Sequence, residues 1–151
     1  MPTPLNPSPL AIRAHEFLEI HLEATDCDDP DAPLTLDFNR KWGQSENDPL
    51  DWMAELTVRF GGEGDDDKVP YRGVIRAAGY FRIAKAYPEQ NRETLIKVTG
   101  ASILYGACRE MLANLTARSS HGMISLPSVS FIERKRPVAK KAATKAAKRK
   151  S

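Results

Sequence analysis

The stretch Trp52-Met-Ala-Glu-Leu-Thr-Val-Arg-Phe60 decides the fold class, because its apolar and polar side chains alternate along its whole length. Successive side chains of a β-strand point to opposite faces, so this period of two predicts a strand with one buried face and one solvated face. The run of glycines and aspartates at 61–68 predicts a hairpin connection. A return strand is predicted over residues 69–83, where Gly73 and Gly79 indicate a bulge or the close approach of another backbone.

Two further strands are predicted upstream. Residues 15–23 alternate and form a strand with one wet face, although Phe17 falls on the wet side and breaks the pattern. Residues 34–38 alternate again and form a short strand. The polar composition of residues 39–51 predicts a loop, which contains Trp42.

The period of the apolar residues changes after about Arg92. The stripe has spacings of three and four, typical of an amphipathic helix, and Gly100 divides a shorter first helix from the main one. Residues 124–131 are predicted to be extended, because Pro127 bars a helix. The order of elements predicts an α+β domain, with a four-stranded antiparallel meander and helices packed on one side. The stripe consists of Leu104, Ala107, Cys108, Met111, Leu112 and Leu115.

Composition and charge divide the 151-residue chain into a domain and two tails. Four prolines in residues 1–11 predict a disordered leader, and the domain is expected over 12–133. Residues 134–151 hold nine of the 22 basic residues and no acid, and predict a disordered Lys/Ala-rich tail. Residues 1–133 therefore carry 13 basic and 20 acidic residues, a net charge of −7. With no apolar run long enough to span a membrane and no secretory signal, we expect a cytoplasmic protein.

The sequence shows no constellation of catalytic or metal-binding residues. The three histidines, His15, His21 and His121, lack a cysteine or carboxylate at ligand spacing. The acidic run at 26–31 resembles a calcium loop only in charge, because its prolines and flanking strands do not fit one. Without a nucleophile, a base and a group to orient the base, we expect no enzyme, no cofactor and no metal.

Several motifs, in order along the chain, resemble the SecB family of protein-export chaperones. The predicted helix carries Leu104-Tyr105 and Arg109-Glu110, and Gly122 follows in a turn. Leu126-Pro127 and Phe131 then resemble the family's leucine, proline and phenylalanine segment. The run Pro33-Leu-Thr-Leu-Asp-Phe-Asn39 resembles a short strand in the family's crossover region, and Tyr80-Phe-Arg-Ile83 resembles the end of its fourth strand. The resemblance extends from about Arg13 to Glu133.

The resemblance implies a SecB-like sheet with helices on one side, assembled as a dimer of dimers. It implies a holdase that binds unfolded polypeptides in apolar grooves and passes preproteins to the SecA translocase ATPase. Some relatives instead serve one partner, such as an antitoxin. The candidate residues for the client groove are Leu34, Leu36, Phe38 and Trp42, for which burial in the core is the alternative.

For docking of the ATPase, the resemblance points to Glu19 and Glu23. In the fourth strand, an acid of the family pattern is replaced by Arg72-Gly-Val-Ile-Arg76, so a mixed-charge solvated face is the alternative. The tail at 134–151 departs further from the family and predicts binding of nucleic acid or another anionic surface. A tail that only adds solubility, or one that folds back onto the acidic body, is equally open.

Overall fold

The computed structural model describes residues 6–27, 34–61 and 69–133. Four strands are followed by one helical rod. The helical rod begins with a 3-10 turn and passes through a π-helical turn. The strands are β1 (Leu10–Ala24), β2 (Leu36–Gln44), β3 (Asp51–Phe60) and β4 (Tyr71–Ile83). The helical elements are the 3-10 turn Glu89–Asn91, α1 (Arg92–Leu95), the π turn Ile96–Gly100 and α2 (Ala101–Thr116).

The four strands form one antiparallel sheet in the order β1-β4-β3-β2. The predicted four-stranded α+β fold is confirmed, but the simple meander is wrong in one respect. β1 pairs with β4 from Leu10 opposite Ile83 to Ala24 opposite Tyr71. β1 therefore supplies main-chain hydrogen-bond partners along the whole length of β4. β1 and β2 therefore lie at opposite edges of the sheet.

β1 is longer than predicted and contains two irregularities. It includes Leu10, which was placed in the leader but is 5% exposed and extends the core. The register shifts at Arg13 and again at Leu18, as at β-bulges. The second shift places Phe17 on the same face as Ile20, so the prediction that Phe17 lies on the wet face is wrong. The rest of the leader up to residue 5, and the tail at 134–151, lie outside the described residues.

β2 replaces the first six residues of the loop predicted at 39–51. The alternation continues beyond Phe38, with Arg40 at the next inward position and Trp42 at the one after it. Arg40 is charged, so the sequence pattern did not indicate an inward position there. Trp42 is half-buried in the strand opposite Ala54. A short turn around Asp48 then leads directly into β3.

The core lies between one face of β3 and β4 and the apolar stripe of α2. Burial raises the pKa of the Cys108 thiol to about 12, as expected for an unreactive core thiol. None of the described helices is long and apolar enough to cross a membrane. The core residues that are at most 1% exposed are Leu56, Val58, Tyr71, Ile75, Ala77, Phe81, Ile83, Ile96, Leu104, Cys108, Leu112 and Leu126.

Gly73 is the position where the close approach of two strands excludes a side chain. A Cβ atom built at Gly73 lies 1.9 Å from the carbonyl oxygen of His21 and 3.0 Å from Cζ of Phe60. A Cβ atom built at Gly43, in β2, meets nothing within 4 Å. The sequence-based expectation of a close backbone approach at Gly73 is therefore confirmed.

We expect Gly73→Ala to lower the free energy of unfolding by about 2–3 kcal/mol, because β1 must move away from β4 to admit the methyl group. Gly43→Ala is the matched control and is expected to change stability by less than about 0.5 kcal/mol. Urea unfolding followed by tryptophan fluorescence measures both values. Equal stabilities for the two variants would contradict the tight β1–β4 contact.

Candidate functional site

The inner face of β2, the face on the helix side of the sheet, is only partly covered. α2 packs over β3 and β4, whereas β2 is reached mainly by the π turn. The apolar side chains of this face consequently remain half-buried, although they touch the edge of the core. Leu36, Phe38 and Trp42 form one row on this face, and Leu34, just before the strand, also packs against the core. These are the four predicted groove residues.

An extended segment lies beside this row. We call residues 124–133 the strap. The strap follows a turn at Gly122, whose φ of +78° suits glycine, and Ile124 donates its N–H to Oγ1 of Thr116 at 3.0 Å. Further along, the Tyr105 hydroxyl donates a hydrogen bond to the carbonyl of Pro127.

Phe131 fixes the far end of the strap by its aromatic ring. The ring is 5.6 Å from that of Phe38 and 5.9 Å from that of Tyr105, each in an edge-to-face arrangement. Such pairs add about 0.5–1.5 kcal/mol to the burial of the rings. The side chain of Phe131 thus joins the strap to β2 and α2 at one point.

Arg40 occupies the inner face of β2 among apolar neighbours. Its Nη1 donates to the carbonyl of Lys97, in the π turn, at 2.8 Å and to that of Phe131 at 3.4 Å. Its guanidinium carbon also lies 5.4 Å from the centre of the Phe131 ring, within the range of a cation–π contact. Arg40 therefore joins β2, the π turn and the strap.

Lys97 and Glu133 complete a charged cluster at the end of the strap. Nζ of Lys97 is 2.7 Å from Oε1 of Glu133, and Nη2 of Arg40 is 3.7 Å from the same oxygen. The hydrogen bond from Lys97, with the charges of both cations, lowers the pKa of the Glu133 carboxyl. Lys97 also lies 5.5 Å from the Trp42 ring, whose Nε1 donates to Oε1 of Glu93 at 3.0 Å.

β2 and the strap enclose an open groove of about 280 Å³. Its walls combine apolar and polar groups in nearly equal measure, with Arg40 on one side and Glu133 at one end. Among the described residues, the outer edge of β2 has no main-chain hydrogen-bond partner. A partly apolar groove beside such a strand edge suits an extended peptide. The remaining lining residues are Phe38, Val129, Ser130, Phe131 and Ile132.

The other predicted site residues lie on the opposite face of the sheet. Glu19 Oε2 is 3.6 Å from Nε of Arg76, which also pairs with Glu55 at 3.2 Å. Glu23 lies directly opposite Arg72 in the β1–β4 pair. The two predicted carboxylates therefore share one face, but each faces an arginine.

Sequence reasoning identified the apolar row and missed the charged cluster. The position of Arg40 could have been predicted, because it continues the alternation of Leu36 and Phe38 towards Trp42. The pairing of Lys97 with Glu133 could not have been predicted, because neither a π turn nor an irregular segment has a periodic sequence pattern. Within the described ranges, no three His, Cys, Asp or Glu side chains are grouped to hold a metal ion.

An open four-stranded antiparallel sheet of this order, with a helix on one face, is the SecB-like α+β fold. Among solved structures, the chain is similar to the SecB-like chaperone Rv1957 of Mycobacterium tuberculosis, solved in complex with a ChAD peptide from the Rv1956 HigA1 antitoxin. The TM-score is 0.59 at 17% identity, and the match covers 81% of this chain and 91% of that one. No protein-family model and no curated protein sequence matches the chain.

Proposed function

We propose that this protein is a molecular chaperone that holds non-native polypeptides. The observation that carries the proposal is the half-covered apolar row on β2, beside a groove and a free strand edge, in a SecB-like fold. Apolar surface left open in a folded protein usually serves binding. The proposal includes Leu34, Leu36, Phe38 and Trp42 as client contacts.

The geometry supports a binding mode with little sequence preference. A client chain in extended conformation pairs its main chain with the outer edge of β2, because those hydrogen-bonding groups have no partner in the described structure. Alternate side chains of the client then enter the groove beside Phe38. Main-chain pairing gives affinity that does not depend on sequence, and the groove adds a preference for apolar side chains.

A dedicated client, such as an antitoxin, fits the surface better than export through SecA. The SecB-like neighbour was solved with an antitoxin peptide. The candidate docking residues Glu19 and Glu23 face Arg76 and Arg72, which leaves little net negative charge for an ATPase to recognise. Hand-over to SecA stays a prediction, and binding of purified SecA that is lost on reversing both charges would support it. A cytoplasmic location likewise stays a prediction.

We further propose that the protein is a homo-oligomer, through the flank formed by β1. This outer strand exposes Ile12 and Ile20 at 44% and Leu18 at 42%. α2 also exposes Ile103 and Leu115, so the predicted stripe is not buried at its last member, Leu115. A long edge strand with exposed apolar side chains favours pairing with another chain. A second copy offers the same surface, as a twofold interface requires.

A second candidate function rests on the separation of charge along the chain. Residues 134–151 contain nine cations and no acid, whereas residues 1–133 carry a net charge of −7. Such a cationic segment binds nucleic acid by releasing condensed counterions. The alanine-rich composition supplies no aromatic side chain for stacking on bases, so this binding would not read sequence.

Trp42→Ala tests the apolar row of β2, with Trp52→Ala as the matched control, because both tryptophans are half-buried on neighbouring strands. Loss of the Trp42 contact surface is expected to raise the amount of protein needed to suppress aggregation of reduced insulin about tenfold, equivalent to about 1.4 kcal/mol. Trp52→Ala is expected to retain suppression. Circular dichroism verifies that both variants fold, and equal suppression by the two would count against the site.

Size-exclusion chromatography with light scattering tests the oligomer. We expect a mass that is a multiple of 16.8 kDa for the parent chain, and a shift towards 16.8 kDa for Ile20→Glu. The charge cannot be buried at a strand edge without a partner. Met53→Glu is the control, since Met53 is similarly exposed but lies on β3. A 16.8-kDa parent species at micromolar concentration would refute the interface.

Fluorescence anisotropy with a short DNA duplex tests the tail. The parent chain is expected to bind at 50 mM salt and to lose about 10³-fold or more in affinity at 200 mM salt, as for six or more phosphate contacts. Removal of residues 134–151 should abolish this binding and leave suppression of insulin aggregation intact. Binding that survives the truncation unchanged would exclude the tail as the nucleic-acid site.

A further inference from the structure

The end of the strap covers the part of β2 that a client is expected to contact. Residues 129–133 form one wall of the groove, and the side chains of residues 129–132 alternate in exposure as an extended chain on a surface does. Phe131 points inward and is 8% exposed, whereas Ile132 is 66% exposed. The chain thus supplies its own extended segment beside β2.

We infer that residues 129–133 are a displaceable wall of the client groove, which a client replaces, and that the Glu133 carboxylate holds them in place. The inference rests on the proposed function, because it concerns access to the same groove. It assigns the cluster of Arg40, Lys97 and Glu133 the role of a latch.

The main chain contributes little to holding this segment. Within the described structure, residues 125–133 form no main-chain to main-chain hydrogen bond, either with β2 or with one another. The contacts that hold the end are the Phe131 ring, the ion pairs of Glu133 and the long hydrogen bond from Arg40 to the carbonyl of Phe131. The side chain of Glu133 is 64% exposed, and ion pairs at such positions are individually weak. A competing chain that also pairs with the β2 edge forms hydrogen bonds that the strap lacks.

The latch also indicates what kind of client competes best. Displacement of the strap leaves two cations, Arg40 and Lys97, beside the aromatic rings of Phe38 and Tyr105. An aromatic side chain followed two residues later by a carboxylate satisfies both groups, as Phe131 and Glu133 now do. The preferred client is therefore an extended segment with an aromatic residue and an acid at positions i and i+2.

A fluorescein-labelled peptide of the strap sequence, residues 125–133, is the probe, with blocked termini. Glu133→Gln weakens the internal strap, so this variant is expected to bind the peptide about two- to fivefold more tightly than the parent protein. A peptide ending in glutamine instead of glutamate is expected to lose that gain. Glu110→Gln, an exposed glutamate of α2, is the control and should match the parent.

Cleavage by chymotrypsin after Phe131 reports opening of the strap without any client, because a protease must reach a side chain that is now buried. We expect faster cleavage in Glu133→Gln than in Glu110→Gln. Equal peptide affinities of the parent and Glu133→Gln, or equal binding of the two peptides, overturn the inference. Failure of every variant to capture reduced insulin overturns the proposed function instead, and the peptide assay is read independently of it.

Discussion

The structure depends on the difference in width between one helix and four strands. Strands about 4.8 Å apart place the two outer strands about 14 Å from each other, whereas an α-helix with its side chains is about 10 Å wide. α2 therefore covers β3 and β4, where Leu56 and Val58 are fully buried. The same inner face on the outer strands remains open, and Ile12 and Ile20 of β1 are 44% exposed. The client groove on β2 and the exposed flank of β1 both follow from this shortage of cover.

The two open flanks differ in what lies against them. On the β2 side the strap and the π turn cover part of the row, and that surface carries aromatic rings and cationic side chains. On the β1 side the large apolar residues that are exposed, Ile12, Leu18 and Ile20, are all aliphatic, and the strand is long. An aliphatic strand edge suits a stable interface with a second copy of the chain, whereas a groove with a displaceable wall suits transient binding of other polypeptides. This difference is the reason for proposing the oligomer interface at β1 and the client site at β2.

The sequence predicted the fold wherever a regular period reported burial. The alternation from Trp52 to Phe60 and the stripe of α2 were sufficient for the α+β class, and both are confirmed. The prediction from sequence failed where a single residue interrupts the alternation of apolar and polar side chains. The irregularity at Leu18 reversed the face of Phe17, and the charge of Arg40 concealed the second half of β2. Strand order and the path of the strap depend on contacts distant in sequence, which no local pattern contains.

Arg40 links stability to the proposed function, because one side chain serves both. An arginine on the inner face of a strand is costly unless its donors are satisfied, and here the carbonyls of Lys97 and Phe131 accept them. The second of these carbonyls belongs to the strap, so opening the groove removes a partner from a half-buried cation. A client restores that partner when its own carbonyl or carboxylate reaches Arg40. The groove is then least costly to open when a polypeptide is present to fill it, which is the behaviour a holding chaperone requires.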